Sequence, residues 1–277
     1  MTTSLPIPLG PADSPDQAWP QTARRRYLRP APARETPLAI LVAGQPGAGK
    51  SVLAASLRAA FDLQGGCVSI DPTELAQLHP GYVTGGQRDE REVWERLRPD
   101  AADLAAELFE QAVSRRQDLL LECTFDTADA AELLLGYLRE QRYQTLVVVA
   151  VAAPETSWRD VQRRYRRQCD TWPVGRRIER AYHDEVFENL LSALERIETG
   201  RLADELHLIG REGQVLASLA RSAGFMPGTC RRVYAQIGQT SAEERPASLP
   251  PEEKRAIRQR RELQRILRRY AAAERRG

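Results

Sequence analysis

A glycine-rich stretch near the start of the chain has the residue types and spacing of a phosphate-binding loop. Its sequence, GQPGAGKS, fits G-x-x-x-x-G-K-[ST] at every fixed position. The glycines let the backbone turn so that successive N–H groups point at one phosphate, and the N-terminus of the following helix adds positive potential. Lys50 is expected to reach the β- and γ-phosphates, and the Ser51 hydroxyl to bind Mg²⁺. The predicted ATP-binding residues are Gly44, Gln45, Pro46, Gly47, Ala48, Gly49, Lys50, Ser51 and Val52.

The surroundings of this loop favour a functional site over a simple glycine turn. An apolar run at 38–43 precedes the loop and a helical pattern at 51–61 follows it, which is the strand–loop–helix order that phosphate binding needs. Lys50 is the only lysine before residue 254 and stands where such a loop requires one. The G-x-G-x-x-G spacing of a dinucleotide site is absent, so NAD is disfavoured.

Two acidic side chains follow predicted strands. Asp71 ends the second strand, in VSIDPTELAQLHPGY, and Glu122 ends the third, in LLLECTFDT. Carboxyl ends of parallel strands share the ligand-binding edge of a sheet. Asp71 is therefore predicted to bind Mg²⁺ together with Ser51. The alternative for Asp71 is a helix cap or turn before Pro72, and the two roles are compatible.

Six arginines lie within and just after a predicted helix in the second half of the chain. Phosphoryl transfer depends on positioning and on neutralising the charge of the transferred group, which arginines can do. A solvated basic helix face is the alternative. The six are Arg163, Arg164, Arg166, Arg167, Arg176 and Arg177.

Strands alternate with helices along most of the chain. Solid apolar runs of this kind are typical of a parallel sheet covered on both faces. The prediction is an α/β fold with a P-loop kinase-like parallel sheet and helices on both faces, plus a charged C-terminal helix. Strands are predicted at 38–43, 67–70, 119–121, 145–152 and 206–209, the last being the final strand, and helices at 51–61, 99–117, 129–141, 157–169 and 180–197.

Composition suggests three segments. Residues 1–36 are rich in proline and contain three consecutive arginines, which predicts an arm that is loosely packed over a core or partly disordered. Residues 37–217 are predicted to form the kinase-like domain. Residues 218–277 form a basic helical extension on this interpretation, with a charged helix at 252–276. That helix either packs through one apolar stripe with a solvated face or binds a partner or an acidic surface.

Charge and cysteine content exclude several classes. The net charge of +2 and the lack of aromatic residues among the basic ones argue against nucleic-acid binding. The four cysteines form no C-x-x-C pair, which favours a reducing compartment over a disulfide or metal framework. No apolar run approaches the length of a membrane span. The chain is therefore predicted to be cytoplasmic and not bound to membranes.

The ordered motifs resemble those of the zeta toxin family, the P-loop kinase toxins of epsilon/zeta-type toxin–antitoxin pairs. The resemblance covers roughly residues 37–217. The matching pieces, in the family's order, are GQPGAGKS, IDPTELAQLHPGY, LLLECT, RRY at 163–165, GRR at 175–177 and REG at 211–213.

The resemblance implies an activity and roles for particular residues. Enzymes of this family transfer the γ-phosphate of ATP to the 3′-hydroxyl of the sugar in UDP-N-acetylglucosamine, and an antitoxin protein obstructs their ATP site. Lys50 and Ser51 would hold ATP and Mg²⁺. Glu122 and Thr124 match the substrate-contacting E-x-T. The phosphoryl-stabilising arginines match Arg164 and one of Arg176 or Arg177, so Lys50, Asp71, Arg164, Arg176 and Arg177 are the catalytic candidates.

The acceptor side departs from the family pattern. The second Asp of the family's D-x-D, its general base, is replaced by Thr73, which leaves Asp71 as the first candidate base and Glu74 as the second. Thr73 is kept as a substrate-binding candidate. Asp126 replaces an arginine that often follows E-x-T. Two alternatives therefore stay open: a kinase of the same fold acting on another hydroxyl, such as a nucleotide cofactor or an aminoglycoside, and a catalytically impaired ATP-binding module.

Overall fold

A six-stranded sheet forms the centre of the protein. The computed structural model describes residues 15–28, 31–62, 65–84, 90–171 and 177–240. The strands are β1 Leu38–Ala43, β2 Val68–Ile70, β3 Leu119–Glu122, β4 Gln144–Val151, β5 Glu205–Gly210 and β6 Val215–Ala220. Their order is β2-β3-β1-β4-β5-β6; the first five run parallel, and β6 is antiparallel to β5. The predicted α/β fold is confirmed, with one antiparallel edge strand added.

Helices cover both faces of this sheet. They are α1 Pro15–Tyr27, α2 Lys50–Asp62, α3 Pro72–Leu78, α4 Pro80–Thr84, α5 Glu90–Ser114, α6 Ala128–Glu140, α7 Pro154–Thr171, α8 Arg180–Gly200 and α9 Thr229–Thr240, with a short 3₁₀ turn at Arg221–Ala223. None of the helices in these ranges is long and apolar enough to cross a membrane.

Alternation along β1 assigns its side chains to the two layers. Leu38, Ile40 and Val42 pack with the apolar side of α2, whereas the intervening residues belong to the larger cluster formed with α1, α3, α5, α6, α8 and α9. Every residue of β1 is buried. A strand with both faces covered must be apolar throughout, which explains why its sequence, LAILVA, is uninterrupted.

Two elements differ from the expected pattern. The strand at 206–209 is not the last one, because β6 follows it after a turn containing Gly213 at φ +80°. β6 has one β-branched residue and lies at the sheet edge with mixed burial, so its sequence carries a weak strand signal. The expected domain boundary at residue 217 falls inside this strand. Helix α5 begins at Glu90 and runs through Pro99, where the prediction had placed its start.

The N-terminal segment contains a helix where a loose or partly disordered arm was expected. In α1, Trp19, Ala23 and Tyr27 are spaced by one helical turn and are buried in the main core cluster. The indole N–H of Trp19 donates to the Leu75 carbonyl of α3 at 3.2 Å. The expected helix at 252–276 and Arg176 lie outside the described residues.

Candidate nucleotide-binding site

The phosphate loop connects the carboxyl end of the central strand β1 to the start of α2. Gly44, Gly47 and Gly49 have φ values of +148°, +79° and +107°, which side-chain-bearing residues rarely adopt. A Cβ at Gly44 would lie 2.7 Å from the Ala150 carbonyl oxygen, and one at Gly47 would lie 2.1 Å from that of Ser157. Both contacts are too close, so only glycine fits, and the backbone forms the cradle that the motif predicts.

Lys50 and Ser51 lie at the mouth of this cradle. The Lys50 ammonium folds back and donates to the Gly44 carbonyl oxygen at 2.5 Å, so the charge is held at the loop. Ser51 is exposed, and its hydroxyl donates to Glu122 Oε2 at 3.4 Å. The structure therefore brings the lysine, the serine and the acidic end of β3 together at one point of the sheet edge.

The Gln45 side chain points into the interior of the protein and not toward the mouth of the loop. It is fully buried, and its Nε2 donates to the Ala152 carbonyl at 2.7 Å and to Ser157 Oγ at 3.4 Å. Its part in nucleotide binding would be through its backbone. The sequence motif leaves this position free, so the cross-link to the start of α7 becomes apparent only in the structure.

Asp71 and Glu122 share the ligand-binding edge, as expected. Asp71 directly follows β2 and caps α3, its Oδ1 accepting from the Thr73 amide at 2.8 Å, so the predicted cap is observed. Glu122 ends β3 and pairs in register with Val42 of β1. Burial raises the pKa of Glu122 to about 7, the charge of Asp71 adds to this rise, and Lys50 opposes it.

Glu74, the second candidate base, is engaged on the side of α1. The phenol of Tyr27 donates to Glu74 Oε2 at 3.0 Å. Burial, followed by the charge of Glu74, raises the pKa of Tyr27, so the phenol keeps its proton. The sequence reasoning missed Tyr27; its spacing of four from Ala23 and eight from Trp19 was the available signal.

Thr124 and Asp126 interact with each other just beyond β3. The Thr124 hydroxyl donates to Asp126 Oδ1 at 2.5 Å. Phe125 between them is buried and has φ +52°, a left-handed conformation that turns the chain sharply. Thr127 then caps α6 by accepting from the Ala130 amide at 3.1 Å. The residue that replaces the family's arginine therefore holds the hydroxyl of a predicted substrate-binding residue.

The arginines occupy different environments. Arg164 is half-buried on α7, about two turns beyond Ser157. Arg177 is exposed and lies three residues before Arg180, the first residue of α8. Arg163 pairs with Asp160 within α7 at 2.7 Å, and Arg211 of the REG motif pairs with the same carboxylate. Asp160 thus ties α7 to the segment after β5, an ion pair that sequence spacing did not indicate.

The residues at the loop suit a magnesium–nucleotide complex. In the part of the chain that the structure describes, no group of three or more His, Cys, Asp or Glu side chains is arranged to hold a metal ion by itself. Mg²⁺ commonly binds through one or two carboxylates together with substrate phosphates and water. Ser51, Glu122 and Asp71 at the edge of the glycine cradle fit that mode of binding.

A separate cavity of about 840 Å³ lies between α1, α4 and α5. The rings of Trp19 and His79 meet there at 4.7 Å in an edge-on arrangement. Arg24 and Arg96 also line this cavity, and no phosphate-loop residue does. Asp71 caps the start of α3 and His79 follows its end. The cavity and the acidic edge of the sheet therefore lie at opposite ends of this short helix.

Sequence comparisons indicate a family. A family model described as Zeta toxin matches residues 23–219. Toxin zeta of Streptococcus pyogenes is 27% identical over 198 residues, which cover 70% of this chain and 68% of that protein. Toxin PezT of Streptococcus pneumoniae serotype 4 is 25% identical over 189 residues, which cover 68% of this chain and 74% of that protein.

Solved structures share the fold. One from the PezAT chromosomal toxin–antitoxin system of Streptococcus pneumoniae has a TM-score of 0.66 at 19% identity and covers 93% of this chain and 98% of its own. The AvrRxo1-ORF1:AvrRxo1-ORF2 structure with ATP has a TM-score of 0.60 at 15% identity and covers 91% of this chain and 84% of its own. At these identities the likeness is one of architecture.

Proposed function

Because the chain belongs to the zeta toxin family, we propose that it is an ATP-dependent kinase that phosphorylates the sugar hydroxyl of UDP-N-acetylglucosamine. The observation that carries this proposal is the glycine cradle with Lys50 and Ser51 at its mouth and Glu122 beside Ser51. ATP is the proposed phosphate donor, in keeping with the AvrRxo1-ORF1:AvrRxo1-ORF2 structure with ATP. An antitoxin protein is the proposed partner, since the PezAT relative is described as part of a toxin–antitoxin system.

The donor side of the reaction follows from the loop. Backbone N–H groups of the loop, in which Pro46 has none, and the Lys50 ammonium would bind the β- and γ-phosphates. Ser51, with Glu122 one hydrogen bond away and Asp71 at the same sheet edge, would hold Mg²⁺, which would neutralise charge on the phosphates. Arg164, with Arg176 or Arg177, would stabilise the phosphoryl group during transfer.

On the acceptor side, Asp71 is the carboxylate best placed to act as the general base. Glu122 is hydrogen-bonded to the proposed magnesium ligand and Glu74 to Tyr27, whereas Asp71 stands at the strand end with one carboxylate oxygen engaged in capping α3. We therefore assign Asp71 as the base that accepts the proton of the substrate hydroxyl. Glu122, Thr124 and Thr73 would contact the substrate, with Thr73 at the position of the family's base.

A direct test measures transfer of labelled phosphate from Mg·ATP to UDP-N-acetylglucosamine. Lys50→Ala should lower this transfer by at least a hundredfold, because no other group in the loop supplies the cation. The matched control is Lys254→Ala, which removes the only other lysine in the chain and should leave transfer unchanged. Equal activity of Lys50→Ala and the wild type would refute the proposal.

A second candidate is a kinase of the same fold with a different hydroxyl substrate. Two departures favour it: Thr73 where the family has its base, and Asp126 bound to Thr124 where an arginine is usual. The same assay with nucleotide cofactors and aminoglycosides as acceptors separates the two. Transfer to UDP-N-acetylglucosamine alone would exclude this second candidate, and tight ATP binding without transfer to any acceptor would identify a catalytically impaired ATP-binding module.

A further inference from the structure

A chain of buried polar side chains links the phosphate loop to the helices that carry the arginines. Gln45, Ser157 and His183 are each fully buried, and they belong to the loop, to α7 and to α8. The Gln45 amide donates to the Ala152 carbonyl and to Ser157 Oγ. Pairing offsets the cost of burying polar groups, so the contacts of Gln45 Nε2, Ser157 and His183 favour one relative position of the three elements, although Gln45 Oε1 has no hydrogen-bond partner among the residues that the structure describes.

His183 extends this series of hydrogen bonds from Ser157 to Asp184. Its Nδ1 lies 2.8 Å from Asp184 Oδ1, and its Nε2 lies 2.8 Å from Ser157 Oγ. An ionised carboxylate only accepts hydrogen bonds, so the proton is assigned to Nδ1 and donated to Asp184. The Ser157 hydroxyl has one proton, which lies within reach of His183 Nε2 and of the backbone carbonyls of residues 153 and 154 at the start of α7, at 3.2 and 3.0 Å. With either acceptor, the serine oxygen can accept from the Gln45 amide.

Arg180 connects Asp184 of α8 back to Glu155 of α7. Arg180 Nε donates to Asp184 Oδ2 at 2.7 Å, and Arg180 Nη2 donates to Glu155 Oε1 at 2.5 Å. The Arg180 guanidinium also lies 5.5 Å from the ring centre of Trp158, which packs edge-on against the His183 ring. The α7–α8 clasp is defined by these six residues: Glu155, Ser157, Trp158, Arg180, His183 and Asp184.

The clasp packs directly against the phosphate loop. The Ser157 carbonyl oxygen occupies the space that a Cβ at Gly47 would need, 2.1 Å from that position. Arg164 lies further along the same helix, and Arg177 comes three residues before Arg180. A shift of Ser157 would therefore move the helix that carries Arg164 relative to the phosphate loop.

We propose that the α7–α8 clasp, through the buried Gln45–Ser157–His183 contacts, is a positioning device that sets the arginines of the transfer site against the phosphate loop. The inference rests on the proposed function, since that proposal assigns the arginines to the phosphoryl group. His183 and Ser157 are positioning residues in this scheme, because both are buried and act through the loop and the helices.

His183→Phe tests the clasp because it keeps an aromatic ring beside Trp158 and removes both hydrogen bonds. We expect the kcat of phosphate transfer from Mg·ATP to fall by roughly tenfold to a hundredfold, the scale of a misplacement of about 1 Å. The dissociation constant of Mg·ADP should change less than about threefold, since the cradle and Lys50 remain. His183→Gln, whose amide reaches the position of Nε2, should restore most of the kcat.

The matched control is His207→Phe. His207 is a second buried histidine with two hydrogen bonds, to Ser218 and Glu205, and it lies on β5 away from the clasp. The control should lose a similar amount of thermal stability and retain the kcat of the folded wild type. A kcat loss in His207→Phe equal to that in His183→Phe would overturn the proposal, because any buried histidine would then have the same effect.

Amide hydrogen exchange separates the clasp from the proposed function. Residues 44–52 should exchange faster in His183→Phe than in the wild type and should be unchanged in His207→Phe. Unchanged exchange in His183→Phe would refute the clasp whether or not the protein is a kinase. Faster exchange together with no phosphate transfer by the wild type would support the clasp as a link to the loop and refute the proposed function.

Discussion

Lysine and arginine have separate tasks at the site. Lys50 is a compact ammonium on a flexible stem, and it donates to the Gly44 carbonyl of the phosphate loop. The arginines near the loop belong to elements that pack against it, where planar, multiply bonded groups are favoured. Arg211, for example, is held by Asp160 of α7. The single lysine of the described residues is thus explained by the size and flexibility that the phosphate loop demands.

Glu122 is expected to make nucleotide binding depend on pH. Its pKa of about 7 means that the carboxyl is mostly protonated at pH 6 and mostly ionised at pH 8. If the ionised form binds Mg·ATP, the affinity should rise roughly tenfold between these values, the change in the ionised fraction. Calorimetric titration at both pH values measures it. Glu122→Gln should bind with an affinity that does not change over this range; an unchanged pH dependence in the variant would assign the titration to another group.

The same carboxyl is expected to make the free energy of unfolding fall as the pH rises, whereas the affinity for nucleotide rises. Without ligand, folded Glu122 keeps its proton up to about pH 7, whereas the unfolded chain releases it near 4.5. Between these values the folded state binds more protons, so the free energy of unfolding falls as the pH rises. The loss attributable to this group is at most about 3 kcal/mol. Urea unfolding of the wild type and Glu122→Gln at pH 5 and pH 8 would show a smaller decrease in the variant.

At the scale of elements, α9 is attached to α8 by a buried carboxylate. Glu198 is buried near the end of α8, and its two oxygens accept from the amides of Gly228 at 2.9 Å and Thr229 at 2.8 Å. These amides belong to the start of α9, whose N–H groups have no partner within the helix. The Glu198 side chain of α8 therefore caps the N-terminus of α9.

Glu198→Gln is expected to lower the free energy of unfolding by about 1–3 kcal/mol, because the NH₂ group then faces a backbone donor inside the protein. Chemical unfolding measures the change. The matched control is Glu195→Gln, which removes an exposed pair between the same two helices, with Arg231, and should cost less than about 1 kcal/mol. Equal effects of the two substitutions would contradict the role assigned to Glu198.

At the scale of the whole molecule, the two ends of the described chain pack into one core. Trp19 and Tyr27 of α1 and Cys230 and Tyr234 of α9 belong to the same buried cluster. α1 lies over α3 and α5, and Arg24 forms a bidentate pair with Glu107 of α5 at 2.7 Å. The segment before the phosphate loop is thus a structural part of the α/β unit, and it supports the helix that Asp71 caps.

Trp19→Ala should lower the free energy of unfolding by about 3–5 kcal/mol, since it removes a large buried side chain and the hydrogen bond to Leu75. Arg24→Ala, five residues further along the same helix, breaks a pair whose side chains are both 39% exposed and should cost less than about 1 kcal/mol. Urea unfolding compares them. A loss below about 1 kcal/mol for Trp19→Ala would show that α1 does not support the core.

Local patterns in the sequence determined the strand–loop–helix unit, the parallel strands and the acidic residues at their ends. These features depend on neighbours in the chain: glycines permit the turn, and apolar runs signal strands buried on both faces. The helix at α1 was within reach of the same reasoning, because Trp19, Ala23 and Tyr27 lie at helical spacing.

Only the tertiary structure decided which groups meet. The Gln45–Ser157 hydrogen bond joins residues 112 positions apart, and the Ser157–His183 contact joins residues 26 apart. The Tyr27–Glu74 hydrogen bond and the raised pKa of Glu122 likewise arise between elements. β6 forms because an edge of the sheet is available to pair with it, although its own residues favour a strand only weakly. Hydrogen bonding and desolvation depend on distances in space, which spacing along the chain does not specify once several elements pack together.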